Sequence, residues 1–453
     1  MRKVVLVPTA LLAAAVIGFF IWNFLLLSSH LAGSAGETRM ATLLEQVENS
    51  QQQIIAQQQQ IQQLMERDAN RQAAPCVQHQ SEGTKADRRD DPPVPTLEDN
   101  NNTPAVVGKQ TVHSAGEPIA VLVIACNRPD MVRCVDRLLK FRPSERFPII
   151  ISQDCGDAST AATIREHYGN QVIHVMQPEL EEIPEAKHQP QFKGYYKISR
   201  HYKWALTQVF DVLFFNSVII VEDDLEISED FFDYFAAGRQ LMEQDETLWC
   251  VSAWNDNGKS EFVSSAKKLY RTDFFPGLGW MLTRGVWSEL SSKWPKAFWD
   301  DWMREPAQRA NRACIRPDIS RVSNFGERGV SAGQFFYDHI AKIKRPTETV
   351  PFLSMDLSYL LKDKYDPAYR AAVKAARTVR FEELLNSVPP GTGNLRVEYT
   401  SNQDFERKSS ELGLMSDLKA GVPRTGYMGI VEFMYKGNRV YLSPPSDWSG
   451  YHS

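Results

Sequence analysis

The hydrophobic pattern changes character along the chain. After Arg2 and Lys3, residues 4–27 carry no charge and are interrupted only by Pro8, Thr9 and Asn23. A bilayer-spanning helix needs about 20 apolar residues, whereas the apolar region of a cleaved signal peptide runs to roughly 7–15. The length therefore predicts an uncleaved signal anchor, with the tail 1–3 cytoplasmic and everything after the anchor across the membrane. The small residues Ala32, Gly33, Ser34 and Ala35 keep cleavage open as the alternative. A stem follows over 28–116. Within it Met40, Leu44, Val47, Ile54, Ile61 and Met65 fall on a heptad register with Gln51 and Gln58 at core positions. That spacing fits either a short parallel coiled coil over 40–65 or a Gln-rich stalk. Residues 70–116 turn to Asp, Arg, Pro, Asn and Gln and read as a tether.

From Ile119 the pattern becomes strand, turn, helix. The apolar, β-branched runs at 119–125, 148–152, 172–175 and 218–221 alternate with helical spacing at 131–140 and 194–210. This predicts an α/β domain over 117–326 whose mostly parallel sheet is covered on both faces and takes ligands at the carboxyl ends of its strands. A loop and linker over 327–350 lead to a smaller domain at 351–446 and a tail at 447–453. The alternating run 430–435, a Gly437-Asn438 turn and the run 439–442 predict a β-hairpin in the second domain.

Charge and cysteine content narrow the function classes. The chain has 51 basic and 56 acidic residues, a net charge of −5, so binding to nucleic acid by charge alone is excluded. Cys126 and Cys155 each follow one of the first two predicted strands, whose ends meet if the strands are neighbours; a disulfide there suits a luminal compartment, with free thiols the alternative. Cys250 and Cys314 are the next candidates, leaving Cys134 and Cys76 unpaired. The triplet Asn101-Asn102-Thr103 is a glycosylation sequon followed by Pro104, used or unused.

The candidate chemistry lies in VIIVEDDLEIS, where Glu222, Asp223 and Asp224 close a predicted buried strand. Three adjacent acids repel one another. Ser228, Glu229 and Asp230 resemble a helix start but come too late to explain the triplet. A hard divalent cation takes one or two carboxylates together with substrate phosphates, so the triplet points to metal-diphosphate binding. A second acidic pair, Asp300 and Asp301, sits between Trp299 and Trp302. Such a setting suits a general base beside a sugar; an amphipathic helix with solvated acids is the bland alternative. A dehydrogenase is disfavoured because no G-x-G-x-x-G follows the first strand. A membrane-anchored lectin and a glycoside hydrolase with paired carboxylates remain as rivals.

Longer stretches carry a specific resemblance: SQDCG at 152–156, KGYYKISRHYKWAL at 193–206, VEDDLEIS at 221–228, LWCVSAWNDNG at 248–258, YRTDFFPGLGWML at 270–282, KWPKAFWDDWMR at 293–304 and DLKAGVPRTGY at 417–427. With Cys126-Asn127-Arg128 they are similar to the N-acetylglucosaminyltransferase I family. The resemblance runs from Ile119 to Pro445. It implies a GT-A fold and a metal-dependent, inverting glycosyltransferase that moves N-acetylglucosamine from UDP-GlcNAc in β-1,2 linkage to the α-1,3-linked mannose of a high-mannose N-glycan. It implies a single-pass type II protein of the Golgi membrane with a luminal catalytic domain, and a stem open to a second copy or to other Golgi enzymes. By matched position, Asp224 resembles the Mn²⁺ ligand, with Mg²⁺ or Co²⁺ as substitutes. Arg128, Asp154, His201, Glu222, Asp223 and Ser331 resemble donor contacts, Leu278 and Trp299 wall residues near the donor sugar, and Asp300 the catalytic base. The bland alternatives are an Arg128–Asp154 ion pair, a satisfied helix histidine at His201 and a surface Ser331. The Gly-rich segment 326–334 is expected to close over the diphosphate.

Overall fold

The structure, a computed structural model, describes residues 117–330, 333 and 335–451. The expected anchor at 4–27, the coiled coil at 40–65, the tether with Asn101 and Cys76, and Ser331 lie outside the described residues. Among the described residues no helix is long and apolar enough to cross a membrane.

The apolar runs become strands because both of their faces are buried. β1 (Ala120–Ala125), β2 (Ile149–Gln153), β3 (Ile173–Met176) and β4 (Ser217–Glu222) stand in the order β3-β2-β1-β4 and pair in parallel. Val121, Val123, Ile151, Ile219 and Val221 share one core with α1 (Met131–Phe141). α2 (Ala158–Tyr168) follows β2, capped by Asp157, whose carboxylate accepts from the Thr160 N–H at 2.7 Å. The alternate residues Ala120, Leu122 and Ile220 are equally buried, and α3 (Lys193–Thr207) packs on β1. Continuous apolar runs rather than alternating ones are the expected signature of strands covered on both sides.

After β5 (Leu225–Ile227), α4 (Phe231–Gln244) starts later than Ser228, with Asp230 at its N-cap and the Ser228 hydroxyl donating to Asp230 at 2.6 Å. Beyond β4 the sheet becomes mixed. β6 (Leu248–Ser252), β7 (Leu269–Thr272), β8 (Trp280–Thr283) and β9 (Ala313–Pro317) continue it as β4-β8-β6-β9-β7, with β8 antiparallel to both neighbours. β10 (Val322–Asn324) pairs antiparallel with β5 and brings residue 324 back beside the acidic triplet.

Both expected disulfides form. Cys126 and Cys155 stand 5.6 Å apart at Cα just beyond β1 and β2, and Cys250 and Cys314 are register partners across β6 and β9 at 4.6 Å. Cys134 is a buried free thiol on α1. Residues 351–446 contribute a second sheet, β11 (Arg377–Thr378), β12 (Asn394–Glu398), β16 (Asn438–Ser443) and β15 (Val431–Tyr435), with a core of its own. The same stretch also sends Phe352, Leu360, Tyr365 and Tyr369 into the first core. The hairpin forms, but its turn is Lys436-Gly437, both at positive φ (47° and 74°), and Asn438 already pairs with Tyr435. A two-residue turn of this type needs positive φ at both central positions and favours glycine at the second, which moves the turn back one residue from the expected Gly437-Asn438.

Candidate active site at the carboxyl ends of the parallel strands

Main-chain bonds hold the triplet. The Asp223 N–H donates to the Ile124 carbonyl of β1 at 3.1 Å, and the Asp224 carbonyl accepts from the Phe325 N–H at 2.9 Å. Both carboxylates are largely buried. One guanidinium faces them: Arg128, just past β1, donates from Nε to Asp223 at 3.0 Å and from Nη2 to Asp224 at 3.1 Å. The same Nη2 lies 3.1 Å from the Arg328 carbonyl, which ties the glycine-rich segment to the acids. The expected alternative, an Arg128–Asp154 pair, does not form because the guanidinium is taken up by the triplet.

The second oxygen of Asp224 accepts from Asn324 Nδ2 at 3.1 Å, and Asn324 Oδ1 accepts from the Gly326 N–H at 2.7 Å. Gly326 crosses the site so closely that a Cβ there would lie 2.0 Å from Asp224 Oδ2. Only glycine lets the main chain pass this close to that carboxylate.

Three carboxylates against one guanidinium leave uncompensated negative charge. Burial, with Asp224 adding to it and Tyr202 opposing, pushes the Glu222 carboxyl up to about 8. Burial and Asp224, against Arg128, raise Asp223 to about 6. Burial also lifts Asp224, again against Arg128. A site in this condition has oxygen donors and an excess of negative charge, which fits a hard divalent cation. Among the described residues the one group of three metal-ligating types with ligand atoms within 4.8 Å of one another is Cys126, Asp154 and Cys155, and its two sulfurs are joined to each other; the carboxylates of the triplet stand farther apart.

Asp154 and His201 form the neighbouring wall. Burial raises Asp154 to about 6 against the pull of Lys197 and Arg200. The imidazole lies 2.8 Å from the Ser152 hydroxyl through Nε2 and 3.8 Å from Asp154 through Nδ1. Burial, helped by Arg200, holds His201 down to about 3, so it is neutral at physiological pH.

An aromatic chain connects the triplet to the second acidic pair. The Tyr202 hydroxyl donates to Glu222 at 2.7 Å and the Tyr202 ring stacks on Trp299 at 4.2 Å. Trp299 is only 5% exposed and lies stacked near Trp280 and Trp294, at 5.7 and 6.0 Å. Its indole is thus a structural layer under the site; Leu278, ahead of β8, is half-buried. Trp299 opens the short helix α6 (Trp299–Arg304), entered from Phe298 in the left-handed region at φ 53°; α5 (Arg284–Leu290) precedes it. On α6, Asp300 and Asp301 keep side-chain exposures of 41% and 43%, and both receive Arg304 Nη1, at 2.8 and 2.9 Å.

The structure thus gathers Arg128, Asp154, His201, Glu222, Asp223 and Asp224 around the strand ends, and links Trp299 and Asp300 to them through Tyr202. Sequence reasoning missed Tyr202, Asn324, Arg304 and Lys419 as site residues. Tyr202, Arg304 and Lys419 each sit in a quoted motif, at 193–206, 293–304 and 417–427, whereas Asn324 sits in none.

An α/β protein with acids clustered at the ends of its parallel strands is a ligand-binding protein of the open-sheet class. The chain belongs to the GNT-I family, whose model matches residues 14–453. A curated relative from Arabidopsis thaliana, alpha-1,3-mannosyl-glycoprotein 2-beta-N-acetylglucosaminyltransferase, is 42% identical over 331 residues, covering 72% of this chain and 74% of the relative. Among solved structures, glucosyl-3-phosphoglycerate synthase from Mycobacterium tuberculosis, in complex with Mn²⁺, UDP and glucosyl-3-phosphoglycerate, aligns at 13% identity and a TM-score of 0.32. That match covers 52% of this chain and 83% of the other. The inositol-1-phosphate CTP transferase from T. maritima aligns at 11% identity and a TM-score of 0.28, covering 52% and 99%.

Proposed function

We propose that this protein transfers N-acetylglucosamine from UDP-GlcNAc, in β-1,2 linkage, to the α-1,3-linked mannose of a five-mannose N-glycan. The observation that carries this reading is family membership over nearly the whole chain. The geometry supports it: a carboxylate pair on α6 is joined through Trp299 and Tyr202 to an acidic, largely buried site at the strand ends.

Arg128, Asp223 and Glu222 line the donor end, with His201 and Asp154 beside them. Asp224, against which the main chain at Gly326 packs closely, is the residue that would hold a divalent cation, Mn²⁺ foremost and Mg²⁺ or Co²⁺ as substitutes. When bound, such a cation neutralises charge on a departing diphosphate. Asp300 accepts the proton of the mannose hydroxyl as its oxygen attacks the anomeric carbon from the face opposite UDP. The anomeric configuration inverts. General-base assistance of this kind contributes roughly 10²–10⁴ in rate.

The luminal, type II placement in the Golgi membrane belongs to the same proposal. Two disulfides in the globular part suit an oxidising compartment, and residues 4–27 have the length and apolarity of an anchor. The test is a product assay with UDP-GlcNAc, a five-mannose glycan and Mn²⁺. Formation of one β-1,2-linked product is expected. Sugar release without a nucleotide donor points to a hydrolase, and binding without turnover to a lectin.

A further inference from the structure

Asp300 and Asp301 are sequence neighbours with nearly equal exposure, yet their surroundings differ. Asp301 receives Arg304 Nη1 at 2.9 Å on Oδ1 and also Lys419 Nζ, at 3.2 Å from Oδ1 and 3.3 Å from Oδ2. Lys419 ends β13 (Leu418–Lys419), which pairs with β14 (Val422–Pro423), far along the chain from α6. Asp300 receives only Arg304, at 2.8 Å on Oδ2, and among the described residues nothing bonds its Oδ1. Arg304 has no freedom to choose between them. Its side chain is 8% exposed, its Nε donates to the Phe275 carbonyl at 3.1 Å, and its guanidinium lies over the Phe274 ring at 4.9 Å.

We propose that Arg304 and Lys419 are positioning residues for the reaction: they occupy both oxygens of Asp301 and one of Asp300, leaving Asp300 with one free oxygen to take the acceptor proton. This rests on the proposed function and adds to it a physical reason why one of two adjacent carboxylates is the base. Burial pushes the Asp301 carboxyl up, but Arg304 and Lys419 together pull it below its ordinary value, a poor condition for a base. Stability alone does not explain the Lys419–Asp301 pair, because at side-chain exposures of 36% and 43% it contributes little to folding. The charged and titratable groups around Asp300 are Asp301 and Arg304 on its own helix, Lys419 from β13, Glu222 from β4 and Tyr202 from α3.

The test compares Lys419→Met, Lys419→Arg, Asp301→Asn and Asp300→Asn in the full-length protein by pH-rate profile, KM for UDP-GlcNAc and thermal midpoint. In Lys419→Met the Asp301 charge is less compensated, which makes the potential at Asp300 more negative while Arg304 stays anchored. The acidic limb of the kcat profile moves up by about half to one pH unit and kcat falls about tenfold. KM for the donor and the thermal midpoint stay at wild-type values, and Lys419→Arg restores both limb and rate. Asp301→Asn moves the limb the opposite way and keeps turnover within about tenfold of wild type. The proposal is overturned if Lys419→Met leaves limb and rate unchanged, or if Asp301→Asn is as inactive as Asp300→Asn. Near-normal turnover by Asp300→Asn overturns the base assignment itself, an outcome distinguishable from the other two.

Discussion

Tyr202 stacks on Trp299 at 4.2 Å with the two rings inclined by 26°, while its hydroxyl donates to Glu222 at 2.7 Å. One side chain therefore connects the end of β4 with the first residue of α6, so the donor end and the proposed base share a rigid aromatic layer. Tyr202→Phe keeps the ring and removes the donor. It leaves a buried Glu222 oxygen without its partner, at a cost of about 1–3 kcal/mol. We expect weaker UDP-GlcNAc binding with kcat largely retained, measured by donor titration and single-turnover rates. Tyr202→Leu, which also removes the stack, is expected to lower kcat.

Gly326→Ala tests the close approach of the main chain to Asp224. A methyl group placed 2.0 Å from Oδ2 cannot be accommodated without moving the carboxylate or the loop. The variant should fold, since the strain is local and near the surface, and should lose cation-dependent UDP binding by about tenfold or more. Calorimetric titration of UDP with Mn²⁺ checks it.

His201 makes stability depend on pH. Its folded value is depressed from 6.5 to about 3 by burial and by Arg200, so the unfolded chain binds the proton more readily. The stabilisation is complete above pH 6.5 and is lost progressively between pH 6.5 and 3, with a slope of roughly 1 kcal/mol per pH unit. Asp154 and Asp223, raised to about 6, act in the opposite sense below that value, so the His201 contribution is read as the difference in unfolding free energy between wild type and His201→Gln, which should shrink as the pH falls from 6.5 to 3.

How much of this was legible in the chain follows from where each signal resides. β1 to β4 read directly because strands buried on both faces leave unbroken β-branched runs, and the triplet was visible because it ends one of them. The ordering of β8 between β4 and β6 was not legible. These strands are short, and their partners lie far apart in the chain. Trp299 and Asp300 were found as a motif, but motifs do not report burial: Trp299 turned out to lie inside a tryptophan stack. Asn324, Arg304 and Lys419 acquire their roles only through contacts made by folding, across separations of 100 residues for Asn324–Asp224 and 118 for Lys419–Asp301. Arg304 stands four residues from Asp300, yet only its anchoring to Phe275 distinguishes it from a surface helix pair.

The Cys250–Cys314 bridge ties β6 to β9 directly in register, across a sequence separation of 64. Replacing both with alanine should lower stability by about 2–4 kcal/mol. The loss should appear as a lower unfolding midpoint under non-reducing conditions.

The central claim is that the carboxylates at the end of β4 bind the donor's diphosphate through a divalent cation held by Asp224. Calorimetric titration of UDP-GlcNAc into the protein, with Mn²⁺ and after exhaustive chelation, in wild type and in Asp224→Ala, tests it most directly. Strong binding is predicted only for wild type with the cation, with the other three conditions weakened by about a hundredfold. Equal affinity in all four would contradict the account.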